Sequence, residues 1–153
     1  MDLIFISSAS SSLVSLLTNS VINTAIGDTS SLLLSMFINI NNDSCIFKKT
    51  IEKMDLYNKL SIIDNFINII PHKYENNKSI SPILQSLHDI IIQIYNELSE
   101  INGIIVHHKT KFFSSYRTPN YKSNINKIIL YKTILDTRFD MLLKILNTIQ
   151  FLK

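Results

Sequence analysis

The chain has 153 residues, a length that fits one domain able to bury most of its apolar surface unaided. Hydrophobic residues make up 46% and charged residues only 18%, below the roughly 25% of ordinary globular proteins, so the surface suits a protein packed against something else. The net charge is a modest +3, and the single cysteine, Cys45, excludes an internal disulfide and fits a reducing, intracellular setting.

Met1-Asp2 is followed by no basic stretch, which argues against a secretory signal. Ile, Asn and Lys are used heavily and Ala, Gly and Arg sparingly, the skew of AT-rich genomes such as those of some large DNA viruses, protists and organelles.

In chain order, residues 1–42 predict uncharged N-terminal helices. Residues 3–27 carry no charge, which invites a membrane reading. Seven serines, two threonines and two asparagines interrupt the run, however, and acids instead of lysines flank it, which favours a buried or interfacial helix. Leu13, Leu17, Val21 and Ala25 form a stripe, and Gly27-Asp28-Thr29 is expected to stop one helix and cap another over about 29–41.

Residues 43–70 predict one amphipathic helix, capped by Asp43 or Ser44 and ended by Pro71. Its apolar face is Phe47, Ile51, Met54 or Leu56, Leu60, Ile63, Ile67 and Ile70. A helix so apolar needs partners and is expected to pack on the C-terminal half. Residues 71–80 read as a polar linker.

The clearest pattern lies in residues 81–152, which predict a long antiparallel helical hairpin. Leu84, Leu87, Ile91, Ile94, Leu98, Ile101 and Ile105 alternate steps of three and four, with Ser81-Pro82 as cap and first helical residue and Gly103 as a weak point inside. Ile125, Ile128, Leu135, Phe139, Leu142, Leu146 and Ile149 repeat the rhythm from about Ser123 to Leu152, with Lys132 at one seam position. Ile129, Tyr131, Leu143 and Ile145 widen this stripe, as for a helix with two neighbours. Folding the arms back with matched ends places Leu84 near Ile149 and Ile105 near Ile125. Arg138 is expected to pair across with Glu97 or Glu100. The fold class is therefore all-α, a bundle of four to five helices in one domain.

The tip of the hairpin, 107–122, is the most distinctive segment. No acid lies between Glu100 and Asp136, whereas Lys109, Lys111, Arg117, Lys122, Lys127 and Lys132 do. Phe112, Phe113, Tyr116 and Tyr121 are interleaved with the first four of these cations. Such a mixture suits a protein partner, a nucleic-acid backbone with stacked bases, or an anionic membrane surface. The plainest alternative has the aromatics closing the open end of the bundle while the lysines are solvated.

Catalytic patterns are lacking. His72, His88, His107 and His108 with one distant cysteine give no zinc spacing, and adjacent His107 and His108 diverge on a helix. Glu97 with Glu100 and Asp136 with Asp140 read as charges of polar faces. No phosphate-binding glycine loop or nucleophile motif occurs.

The long amphipathic helix, the aromatic-basic turn and the helix containing Phe139-Asp140-Met141-Leu142-Leu143-Lys144-Ile145-Leu146 resemble the HeLo-like four-helix N-terminal bundles of the mixed-lineage kinase-like pseudokinase type. The uncharged stretch Ile4–Ile26 also has counterparts there. The resemblance implies a four-helix bundle with a membrane-active or signalling role.

Taken together, these features predict a non-enzymatic structural or assembly protein, without cofactor, metal or small-molecule substrate, that binds a protein partner or copies of itself. Its composition matches a virion or complex component of an AT-rich large DNA virus. The second expectation is a membrane-active or signalling module that meets a membrane through residues 3–27. The third is a basic nucleic-acid-binding protein.

Overall fold

The computed structural model describes residues 3–40, 46–74, 77–113 and 116–151, and side chains from Asn19 onward apart from those of His72 and Phe151. Among the described residues there are five α-helices and no strand: α1 (Leu3–Asn39), α2 (Ile46–Met54), α3 (Leu56–Ile69), α4 (Ser81–Lys109) and α5 (Lys122–Phe151). Helices α2 and α3 form one kinked rod, so the fold is an all-α bundle of four rods.

The expected break at Gly27 is absent, and α1 runs through it. Thr29 caps nothing, because its hydroxyl donates 2.7 Å back to the carbonyl of Ala25 inside the same helix. Ile22, Ala25, Ile26, Leu33 and Met36 are buried on both sides of the glycine, so one continuous apolar face outweighs its low propensity. The side chains of Leu13 and Leu17 lie outside the described residues, as do Asp43 and Ser44, the expected caps of the next helix.

That next helix is two. Phe47 and Ile51 are buried, and so are Leu56, Leu60, Ile63 and Ile67. The step from Ile51 to Leu56 is five residues, which on a continuous helix would turn Leu56 about 140° away from the shared face. Asp55 restores the phase by adopting a left-handed conformation at φ 53°, a region that aspartate tolerates better than most residues. Asn58 steadies the kink by donating to the Asp55 carboxylate at 2.6 Å. Leu56, not Met54, thus takes the core position.

The segment expected to be a polar linker is a built crossing. His72–Tyr74 forms a 3₁₀ turn, and Tyr74 and Ile80 are buried. The cap of α4 also lies earlier than Ser81: the backbone carbonyl of Asn77 accepts from the N–H groups of Ile80 and Ser81, and its side chain accepts from Ser79.

Partner contacts define the arrangement. The C-terminal ends of α1 and α4 lie together, where Lys109 Nζ donates to the Asn39 carbonyl at 2.8 Å. Phe47 meets Tyr121, Lys59 meets Asp136 and Phe66 meets Phe139, so α2–α3 runs parallel to α5. The main pairings are α1 with α4, α4 with α5, α1 with α3, and α2 with α5. Helices α3 and α4 therefore occupy opposite corners, and residues 70–74 and 77–80 lie at the end of the bundle between them. This is why Tyr74 and Ile80 point inward. The rod of 46–69 packs on α5 and α1.

Every seam residue expected on α4 is buried except Ile105, which is partly so, and Ile90 is buried as well because α4 has two neighbours. On α5, Ile125, Ile128, Leu135, Phe139, Leu142 and Leu146 are buried and Ile149, Tyr131, Leu143 and Ile145 partly so, whereas Ile129 faces solvent. The register differs from matched ends. Glu97 meets Asn124 and Lys127, and Ser86 meets Arg138, which sets Leu84 opposite the region of Asp140 and not Ile149. The arms are displaced by about nine residues, roughly 13 Å.

Two substitutions separate continuous helix from break. A Cβ at Gly27 meets nothing within 4 Å, so Gly27→Ala is expected to stabilise by about 0.5–1 kcal/mol, whereas a helix stop there would make it destabilising. Leu98→Ala, at 0% exposure, should cost about 2–5 kcal/mol in the same denaturant titration.

Candidate functional site

The tip projects from a polar clamp between α4 and α5. Glu97 was expected on a solvated face, yet it is only 8% exposed, as is Asn124. Asn124 Nδ2 donates to Glu97 Oε2 at 2.8 Å and to Glu100 Oε2 at 2.7 Å, and Lys127 Nζ donates to Glu97 Oε1 at 2.9 Å. The hydrogen bond and charge of Glu97 hold the Lys127 ammonium above its ordinary 10.5. Arg138 does not join this clamp; its Nη1 reaches the Ser86 carbonyl at 2.6 Å.

A second clamp ties α5 to α3. Asp136 accepts from Lys59 at 3.1 Å and from Lys132, one helical turn away, at 2.6 Å. Partial burial opposes ionisation of Asp136, but the hydrogen bonds and charges of Lys132 and Lys59 outweigh it and hold the carboxyl below its ordinary 3.8. Lys132 can occupy a seam position because Asp136 meets its charge. Lys59 also lies 4.7 Å above the Phe139 ring.

The structure divides the expected tip residues. Lys109 is exposed, but its ammonium meets a terminal carbonyl of α1, a favourable place for a cation. Tyr121 is buried edge-on against Phe47 and closes the end of the core. Phe112, Phe113 and Tyr116 do not close it; they are 87%, 66% and 86% exposed. Phe113 sits at φ 62°, and its ring packs edge-to-face on Phe112 at 5.0 Å. Lys111, Arg117 and Lys122 are exposed as well. Ser114 and Ser115 lie outside the described residues.

The same end of the bundle presents more apolar surface. Ile38 adjoins the carbonyl that Lys109 caps, Ile46 adjoins Phe47, and Val106 directly precedes the tip; all three are exposed. Sequence periodicity did not single these out. The sign available was their position between seam residues on otherwise apolar helices.

Other constellations stay apart. Among the described residues no group of three or more His, Cys, Asp or Glu side chains could hold a metal ion. His107 is exposed, and His108 is partly buried with Nε2 making no hydrogen bond to the described residues. Asp136 and Asp140 are not a couple, since Asp136 is engaged by two lysines.

Two measurements test these assignments. Asp136 contributes stability that is full above its ordinary value of 3.8 and is lost as pH falls through its lower folded-state value. Urea titrations between about pH 4 and pH 2 should therefore show a smaller loss for Asp136→Asn than for wild type. At the tip, Tyr121→Ala should lower stability by about 2–4 kcal/mol, whereas Phe112→Ser with Phe113→Ser should change it by under about 0.5 kcal/mol.

No protein-family model matches the chain, and neither does any curated protein or solved structure.

Proposed function

We propose that the protein is a non-catalytic helical assembly module that docks on a protein partner, or on further copies of itself, through the exposed end of its hairpin. The observation that carries this reading is the trio Phe112, Phe113 and Tyr116, each 66% exposed or more, beside Lys111, Arg117 and Lys122. Large aromatics held in water gain most from burial against a partner, and aromatic and arginine side chains dominate the energetics of protein interfaces. The AT-rich composition supports a source such as a large DNA virus, in which the module would be a component of the particle or of a complex.

A membrane-active or signalling module is the second reading. The HeLo-like resemblance and the apolar stretch support it, since Asn19–Asn39 is long and apolar enough to cross a bilayer by length and composition. Against it, Ile22, Ala25, Ile26, Leu33 and Met36 of that stretch already lie in the core. Inserting them in a bilayer would leave their core partners on the other helices facing water, at roughly 1.5–3 kcal/mol for each large side chain uncovered.

Light scattering of the purified chain, alone and with phosphatidylserine vesicles or a mixed-sequence oligonucleotide, separates the readings. The assembly reading expects a mass above that of one chain that drops when Phe112 and Phe113 become Ser, with no vesicle or oligonucleotide binding. A monomer that binds anionic vesicles would replace it with the second reading. A monomer with steeply salt-dependent oligonucleotide affinity would replace it with a nucleic-acid role.

A further inference from the structure

The chain contains two places where a hydroxyl residue precedes proline, Ser81-Pro82 and Thr118-Pro119. Their surroundings differ sharply. Ser81 is the first residue of α4, half-buried, with its N–H bonded to the Asn77 carbonyl at 2.9 Å. Thr118 lies in 117–120, a stretch without regular structure between the tip and α5, and its side chain is exposed.

The hydroxyl of Thr118 also differs from those of the helical threonines. Thr24, Thr29, Thr110, Thr133, Thr137 and Thr148 each donate to a carbonyl three or four residues earlier. Those hydroxyls are occupied, and the backbone carrying them is wound into helix or a helix end. No hydrogen bond among the described residues engages the hydroxyl of Thr118. Proline after it confines Thr118 to extended or polyproline conformations and removes one backbone donor.

An exposed, extended segment whose hydroxyl is engaged by none of the described residues, followed by proline, fits the substrate cleft of one enzyme class. We infer that Thr118 is a phosphorylation site for a proline-directed serine/threonine kinase. In that reaction Thr118 Oγ1 attacks the γ-phosphorus of Mg-ATP. The new O–P bond forms as the bond from phosphorus to the β–γ bridging oxygen breaks, ADP departs, and the hydroxyl proton passes to the catalytic base of the kinase. The product adds about −1.5 to −2 charge at neutral pH. It does so in a segment that holds Lys111, Arg117 and Lys122 and no acid, and it therefore weakens the positive field of the tip. The assignment of the site does not rest on what the tip docks on.

Neighbouring anchors make the modification tolerable. Tyr121 is buried against Phe47 three residues later, so the fold holds the far end of the loop while Thr118 stays outside it. Ser81 is instead half-buried and wound into the first turn of α4, so it does not offer a kinase cleft the extended backbone that Thr118 offers.

The test is phosphorylation of the full-length chain by a purified cyclin-dependent or mitogen-activated class kinase with Mg-ATP, mapped by mass spectrometry of proteolytic fragments. The expected result is one phosphate at Thr118 in wild type and in Ser81→Ala, retained in Thr118→Ser and abolished in Thr118→Val, with unchanged circular dichroism throughout. A synthetic peptide from Phe112 to Asn124 serves as the unfolded comparison. Phosphate on the peptide but not on the folded chain, on neither, or at Ser81 of the folded chain would overturn the assignment.

Discussion

A carboxylate placed between two apolar arms must be met by donors, and Glu97 is met by Asn124 and Lys127 in one alignment of α4 against α5. The aliphatic seam alone does not select that alignment. Leucine and isoleucine recur along both arms, so a slide of one heptad would re-pair them at small cost. The same slide would leave Glu97 buried without its partners, a penalty of several kcal/mol. The clamp thus decides how far α4 reaches past α5, and with it which residues of the tip stand clear of the core.

The clamp's position has a structural corollary at each end of the hairpin. Beyond Ile101, α4 faces the loop and not the body of α5, so Val106, Phe112 and Phe113 emerge into water while Tyr121 fills the gap beside Phe47. At the other end, α5 continues alongside the crossing segment that carries Tyr74 and Ile80. One displaced register accounts for both.

Periodicity made the seams of α4 and α5 legible, because a three-four rhythm over about six turns admits one buried face. It could not reveal register, which depends on Glu97 and Asn124, two polar residues that look like ordinary surface positions. Local signals were misleading where tertiary burial opposed them. Gly27 and Thr29 resemble a stop and a cap, yet the apolar face on either side of them carries α1 through. The five-residue step from Ile51 to Leu56 was readable in principle as a kink, and Asp55 is a residue that allows one. For the tip, composition showed where cations and aromatics gather in the chain. It could not separate Lys109 and Tyr121, which the fold uses for its own closure, from Phe112, Phe113 and Tyr116, which it leaves outside.

The pairing of α1 with α4 also shapes how the chain must be made. Asn39 meets Lys109, a partner 70 residues later in the sequence. At a synthesis rate of about 5–20 residues per second, roughly 4–14 s pass between the emergence of one and of the other. Throughout that interval the first helix, whose one charged residue is Asp28, has on offer at most the shorter rod of 46–69. Its apolar face is then open to water, to other nascent chains and to chaperones. Ser20, Ser31 and Ser35, exposed on that helix, keep its outer side polar without adding charge while the second half is still being translated.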